Sequence, residues 1–257
     1  MNTSIRNRII DAIKAFDPIL LDDMGSVRLM SRMDTKYVLK LDRLQGILSD
    51  VSSSYFMLEI EDEKEQVYET QYFDLSDYSM YVCHHNGKLN RNKLRVRKYA
   101  STQEKFFEVK FKNNKGRTIK KRTRDEENNP LITENQYKFI SKTTSFNDIE
   151  MKPSLKNSFT RLTLVNKDLS ERITVDYNLW FQDSESGNES SKDKICIVEV
   201  KRGRSAEKSH FMKVLDKNRI RSMGFSKYCM GLVFTNTELK KNKFKQRVRK
   251  IDKMIKN

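Results

Sequence analysis

Several stretches place charged residues two apart along a β-like run. Lys93, Arg95 and Arg97 alternate with Leu94 and Val96. Glu108, Lys110 and Lys112 alternate with Val109 and Phe111, and Glu199 and Lys201 with Val198 and Val200. In a strand, residues i, i+2 and i+4 share one face, so each run has an ionic face and an apolar one. Arg172, Thr174 and Asp176 oppose Ile173 and Val175 in the same way. Phe159, Arg161 and Thr163 oppose Leu162 and Leu164. Arg binds phosphate oxygens in pairs through its planar fork, and Lys supplies point charges. Glu108 and Glu199, each opening a Glu-Val-Lys triplet, suit hard oxygen ligation of Mg²⁺ or Mn²⁺ better than phosphate contact.

One ionic face of this kind is what any half-solvated antiparallel strand shows. The set as a whole is biased to Lys and Arg, and like charges side by side on a flat sheet destabilise it. A closed sheet is therefore expected, its charged faces lining a lumen and its apolar faces packed under helices. A phosphate chain and a divalent ion would offset the mutual repulsion of cations in that lumen.

The elements that must position these faces are legible in outline. A helix is expected from Ile5 to Leu20, period-two alternation from Asp34, a short helix at Arg43–Ser49, and strands at Tyr55–Ile60 and Gln66–Phe73. Asp74–His85 reads as a helix. Lys88–Tyr99, Lys105–Lys112 and Arg117–Arg124 read as a meander, and Glu134–Ser145 as a helix. Leu155–Asn166 and Glu171–Trp180 form a strand pair, followed by a polar loop at Asp183–Lys192 and a strand at Ile195–Lys201. A helix at Ala206–Arg221, a strand at Tyr228–Phe234 and a basic terminal helix at about 237–256 complete the chain. Hairpin connections predict an α+β fold, a closed antiparallel β-barrel with peripheral helices, as one domain over residues 1–257.

The 51 Lys and Arg against 35 Asp and Glu give a formal charge of +16, which calls for a polyanionic partner. No run approaches the length of a membrane span, and Arg6, Asp11, Lys14 and Asp17 interrupt the N-terminal apolar pattern, unlike a secretory signal. Cys83, Cys196 and Cys229 lie far apart with no CxxC, so neither a disulfide framework nor a zinc site is expected, and the cytosol is the expected compartment. His84-His85 are adjacent on an expected helix and do not face each other. Tyr72-Phe73-Asp74 and Trp180-Phe181 read as core. Leu239–Asn257 carries nine basic residues and one acid, a solvated helix face by default.

Taken in order, Arg32-Met-Asp-Thr-Lys36-Tyr37, Tyr72-Phe73-Asp74, Leu94-Arg95-Val96-Arg97, Glu108-Val-Lys110, Phe159-x-Arg161, Glu171-Arg172-Ile-Thr-Val-Asp176, Ile197-Val-Glu199-Val-Lys201 and Ser226-Lys227-Tyr228 resemble the polyphosphate polymerase (VTC) domain of the CYTH, or triphosphate tunnel metalloenzyme, superfamily. The resemblance runs from about residue 30 to 235. It implies that Lys36, Arg95, Arg97, Lys110, Arg161 and Arg172 hold a phosphate chain and that Glu199 binds the metal. Ser226 and Lys227 would make a late phosphate contact, and Lys120 or Lys121 would match a further basic position. Lys93, Lys112 and Lys201 join the phosphate-binding set from their faces, and Glu108 the metal set. Two positions depart from the pattern: the Glu-x-Glu-x-Lys opening of many tunnel enzymes is here Arg32-x-Asp34-x-Lys36, and Lys112 stands where some members carry His.

The activity so implied is transfer of the terminal phosphoryl group of ATP to a growing polyphosphate chain, with Mn²⁺ or Mg²⁺. A separate membrane protein would be needed to move the product across a bilayer. Two other readings stay open at this point: a metal-dependent triphosphatase or polyphosphatase of the same fold, and a non-catalytic polyanion-binding protein. Nucleic acid is the weaker partner, since no aromatic-basic RNA signature accompanies the charge.

Overall fold

The structure is a computed structural model and describes residues 2–26, 32–127, 129–144, 146, 150–203 and 207–256. The strands are β1 (Pro18–Ile19), β2 (Arg32–Lys40), β3 (Tyr55–Leu58), β4 (Gln66–Asp74), β5 (Arg91–Tyr99), β6 (Lys105–Lys112), β7 (Thr118–Arg124), β8 (Lys152–Asn166), β9 (Glu171–Asp183), β10 (Glu189–Lys192) and β11 (Ile195–Gly203). The helices are α1 (Thr3–Lys14), α2 (Leu44–Val51), α3 (Ser79–His85), α4 (Glu134–Thr143), α5 (His210–Lys217), α6 (Lys227–Thr235) and α7 (Lys245–Lys256). Among the described residues, no helix is long and apolar enough to cross a membrane.

One mixed sheet organises the chain, in the order β2-β11-β9-β8-β4-β5-β6-β7. Every neighbour along that path is antiparallel; β1 pairs with β3 in parallel. The expected closure is not present: among the described residues β7 does not pair with β2. Lys120, Lys121, Arg122 and Arg124 crowd β7, and docking it on β2 would bring them against the Lys36 edge, where like charges repel. The sheet instead curls into an open channel. It bends far enough for Lys36 of β2, Lys110 of β6 and Thr118 of β7 to border one hollow.

Alternation decides what lies on each side. The convex faces of β2, β8, β9 and β11 bury Leu39, Leu162, Val175 and Val198 in one cluster with Ile9 of α1, Leu48 of α2 and Phe211 of α5. Leu94 of β5 and Phe107 and Val109 of β6 pack with Ile140 of α4. Side chains that begin the helices satisfy their first backbone N–H groups. Thr133 and Gln136 form a reciprocal capping box on α4, and Ser209 caps α5.

The concave side is shared between α6 and the ionic faces. Leu155, Phe159, Leu179 and Phe181 of the sheet bury against Tyr228, Leu232 and Val233 of α6. Residues Tyr228–Phe234, expected as a strand, lie in this helix. The segment is buried nearly all round, so no wet face supplies a period, and a short apolar run is ambiguous on periodicity alone. Ser226, which accepts a hydrogen bond from the Cys229 N–H, is the local signal for a helix start. Gly231 permits the close approach: a Cβ there would meet Leu155 Cδ2 at 2.5 Å and Phe181 Cδ1 at 2.7 Å.

Other boundaries shift for local reasons. The first helix ends at Lys14, because Pro18 disfavours helical backbone at Asp17. The helix expected from Asp74 begins only at Ser79, since Asp74 ends β4. The 183–192 segment contains β10, paired to β9. The helix expected over Ala206–Arg221 spans His210–Lys217; Ala206 and Ser145 lie outside the described residues.

Candidate active site

Strand register assembles the site. Across β5, β6 and β7, Lys93 lies opposite Lys110 and Lys110 opposite Lys120, while Arg95 faces Glu108. On the other wall Glu199 of β11 faces Lys36 of β2, and Lys201 faces Asp34. Lys201 also neighbours Arg172 of β9, and Asp176 of β9 faces Arg161 of β8. The start of α6 brings Ser226 and Lys227 to the same space. These walls enclose a cavity of about 380 Å³, lined by ten Lys and Arg side chains against three carboxylates, Asp34, Asp176 and Glu199.

Three carboxylates each take two cations. Asp176 accepts a fork from Arg161, Nε to Oδ1 at 2.6 Å and Nη2 to Oδ2 at 2.8 Å, and a further bond from Lys227. Glu108, only 1% exposed beneath the cavity, pairs with Arg95 (Nε to Oε2, 2.7 Å) and with Lys120. Glu199 lies between Lys36 (3.1 Å) and Lys201 (3.2 Å). Burial alone would push all three carboxyls up; the paired cations outweigh it, taking Glu108 down to about 2 and holding Asp176 and Glu199 well below the usual range.

The surplus cations carry the strain of this arrangement. Among the described residues Arg97, Lys93 and Lys110 face the cavity without a carboxylate partner. Arg97 is 8% exposed and its Nε has no hydrogen-bond partner, and Lys93 Nζ donates to Ser226 Oγ at 3.0 Å. Burial lowers Lys93 and Lys227 to about 7, and Lys110, Lys120 and Lys201 to about 8. Neighbouring cations add to the shift in every case, while the carboxylates near Lys227, Lys120, Lys110 and Lys201 oppose it. Aromatic faces take part of the load: Arg161 and Arg97 lie 4.9 and 5.4 Å from the Tyr68 ring centre, and Lys227 4.1 Å from Phe159.

Of the residues singled out from sequence, Lys36, Lys93, Arg95, Arg97, Lys110 and Lys120 border this cavity, as do Arg161, Arg172, Glu199, Lys201, Ser226 and Lys227. Lys112 does not; it borders an adjoining hollow of about 190 Å³ with Arg91, and that hollow shares Lys36, Lys110 and Glu199 with the main cavity. Lys121 is exposed and lies across from Val109, on the opposite face from Lys120. Glu108, expected as a metal ligand, lies below the cavity floor and pairs with Arg95 and Lys120, as Glu199 pairs with Lys36 and Lys201. His85 is structural: its Nε2 accepts the Lys243 N–H at 3.2 Å.

Some site residues had no role from sequence. Asp176 was visible as part of a polar face and as the end of one motif, with no role assigned, and its pairing with Arg161 depends on register. Tyr72, read as core, places its hydroxyl 3.4 Å from Arg95 Nη1. Asp74 accepts the backbone N–H groups of Leu75, Met80 and Tyr81 and the hydroxyl of Tyr228, tying α3 to α6.

The donor set bears on a divalent ion. Among the described residues no three His, Cys, Asp or Glu side chains converge on one point. Glu199, with Asp34 on the neighbouring strand and bordering the same cavity, provides the one or two carboxylates by which Mg²⁺-type ions are usually held when substrate phosphates complete the shell. The residues therefore fit an ion that arrives with its phosphate ligand, not a preformed protein cage.

Solved structures with a similar course of chain include a putative adenylyl cyclase from Hippeastrum, described as having a dominant triphosphatase activity (12% identity, 81% of this chain and 98% of that one, TM-score 0.46). A putative adenylate cyclase from Vibrio parahaemolyticus is 10% identical over 76% of this chain and 94% of its own, with a TM-score of 0.44. The PH1819 protein of Pyrococcus horikoshii is 14% identical over 78% and 98%, with a TM-score of 0.41. No curated protein matches the chain. Residues 31–236 match the VTC domain, and on that match, spanning most of the chain and all the strands of the site, the protein belongs to the VTC domain family.

Proposed function

We propose that this protein is a polyphosphate polymerase that uses ATP as phosphoryl donor. The observation that carries the reading is the cavity itself: ten cations against three lining carboxylates, with Arg97, Lys93 and Lys110 making no ion pair among the described residues. Such an excess is costly when empty and is relieved by a ligand that brings several negative charges into a small volume.

In this reading Lys36, Arg95, Arg97, Lys110, Arg161 and Arg172 grip the reacting phosphates, and Lys93, Lys112, Lys120, Lys201, Ser226 and Lys227 hold the remainder of the chain. A terminal oxygen of the polyphosphate attacks the γ-phosphorus of ATP, the bond to the β-phosphate oxygen breaks, and ADP leaves. Phosphoryl transfer needs little covalent help, so alignment and charge neutralisation supply most of the catalysis. Asp176 fixes the Arg161 fork, and Glu108 fixes Arg95 and Lys120. Glu199 with Asp34 would hold a divalent ion, Mn²⁺ or Mg²⁺, and the chemistry it would supply there is charge neutralisation of the phosphates. The ionic walls exclude a lone water less well than an apolar pocket would, so the acceptor is decided by which oxygen is held in line.

Incubating the protein with ATP and Mn²⁺ tests the proposal. Long-chain phosphate accompanied by ADP supports it. Free phosphate with no chain product moves the chemistry to hydrolysis by the same site, and no turnover of ATP overturns both.

A further inference from the structure

A second cationic hollow lies outside the channel, between the end of β2, the turn after α5 and helix α7. Its volume is about 460 Å³. Lys40, Arg43, Arg219, Arg221 and Lys250 line it, with Leu39, Ile220 and Met254 among the apolar residues and no acid among its lining residues. It shares no lining residue with the main cavity.

The five cations are not equivalent. Arg43 is held by Asn218, its Nη2 donating to the backbone oxygen at 2.9 Å and to Oδ1 at 3.1 Å. Lys40, Arg219, Arg221 and Lys250 make no ion pair among the described residues. Arg219 adopts a left-handed backbone (φ 56), a conformation that is unfavourable for an L-residue other than Gly. It ends α5, with its N–H on the Asp216 carbonyl at 2.8 Å.

The turn also reaches the channel. The Met223 N–H donates to the Lys36 carbonyl at 2.8 Å, and Ser222 bridges to Tyr37. Three residues after Met223 comes Ser226, which caps α6 and bonds Lys93. One short segment therefore joins Arg219 and Arg221 in the hollow to Ser226 and Lys227 in the channel wall.

We propose that this hollow is a second phosphate site, taking a compact oligophosphate group outside the channel and steadying the segment that presents Ser226 and Lys227. Unpaired guanidinium groups suit phosphate oxygens, and the small volume suits a few phosphates and not a nucleic-acid strand. The phosphates could belong to a separate small molecule or to a distal stretch of a chain already threaded in the channel.

Titration calorimetry with inorganic triphosphate separates these sources, and it reads binding, so it stands whether or not the polymerase reading holds. The variants are Arg221→Glu with Lys250→Glu for the hollow and Arg97→Met with Lys110→Met for the channel. Charge reversal at Lys245 and Lys253, on the same helix but outside the hollow, is the control. If a separate molecule fills the hollow, the wild type binds two triphosphates, and the hollow and channel variants each lose a different one. If a threaded chain fills it, triphosphate stoichiometry is unchanged, but the hollow variant loses about tenfold in affinity for long-chain polyphosphate while the control does not. Equal stoichiometry and equal long-chain affinity in the wild type and the hollow variant overturn the proposal, as does a control that behaves like the hollow variant.

Discussion

Asp176 and Arg161 face each other across β8 and β9, and the carboxylate receives the guanidinium as a two-pronged fork at 2.6 and 2.8 Å. Lys227, from the start of α6, closes on the same carboxylate. This trio joins strand to strand and sheet to helix, and it places two cations where the cavity requires them.

Asp176→Asn leaves Arg161 and Lys227 buried with no full counter-charge. Breaking a buried pair by removing one partner costs about 3–5 kcal/mol, and these side chains are only 5–14% exposed. Urea unfolding should show that loss, and added triphosphate should recover part of it. A variant as stable as the wild type would show that the trio is not an anchor.

Arg97→Met should act in the opposite sense on stability. It removes a buried cation whose Nε lacks a partner, so the unliganded protein gains about 1 kcal/mol, read as a higher Tm. Affinity for polyphosphate should fall about tenfold or more, the value of one charged hydrogen bond. Loss of stability together with unchanged affinity contradicts the role given to Arg97.

Glu199→Ala should abolish metal-dependent turnover and leave polyphosphate binding measurable, because the change removes a carboxylate and frees Lys36 and Lys201 from it. Parallel turnover and binding measurements check this. Full activity in the variant removes Glu199 from the mechanism.

Binding of phosphate should take up protons. In the free protein Lys93 and Lys227 titrate at about 7, and Lys110, Lys120 and Lys201 at about 8, chiefly through burial. A bound anion favours their charged forms and raises those values. At pH 8 calorimetry in buffers of different ionisation enthalpy should show net uptake, and affinity should weaken as pH rises above about 7. For the unliganded fold the sign reverses. Between those values and the ordinary 10.5 the unfolded chain holds more protons, so stability rises with pH through that window.

Gly231→Ala should loosen the seating of α6. The new Cβ has to displace Leu155 and Phe181 from contacts of 2.5 and 2.7 Å, and overpacking of this kind costs about 1–3 kcal/mol. Chemical denaturation measures that cost, and weaker phosphate binding should accompany it because Ser226 and Lys227 move with the helix. Unchanged stability and binding would mean that the helix does not need its close approach.

The faces of the ionic strands were readable before any fold was known. Which side of a strand Lys93, Arg95 and Arg97 share follows from backbone geometry within five residues, and so does the opposition of Val198 to Glu199. The helix expected from Glu134 is equally local, and it begins there. The segment Tyr228–Phe234 was misread because burial on every side erases the period that separates helix from strand.

Pairing was not local. Glu108 and Glu199 sit in the same triplet, yet one is locked beneath the floor by Arg95 and Lys120, and the other borders the cavity between Lys36 and Lys201. Whether the sheet closed, which carboxylate met which cation, and where α6 entered all depended on register and curvature over contacts far apart in the chain. Residue types and spacing determined that the cations would share faces. Only the curled sheet decided which of them would be neutralised by protein and which would be left facing the cavity, because Coulomb pairing is set by distance in space and not by distance along the chain.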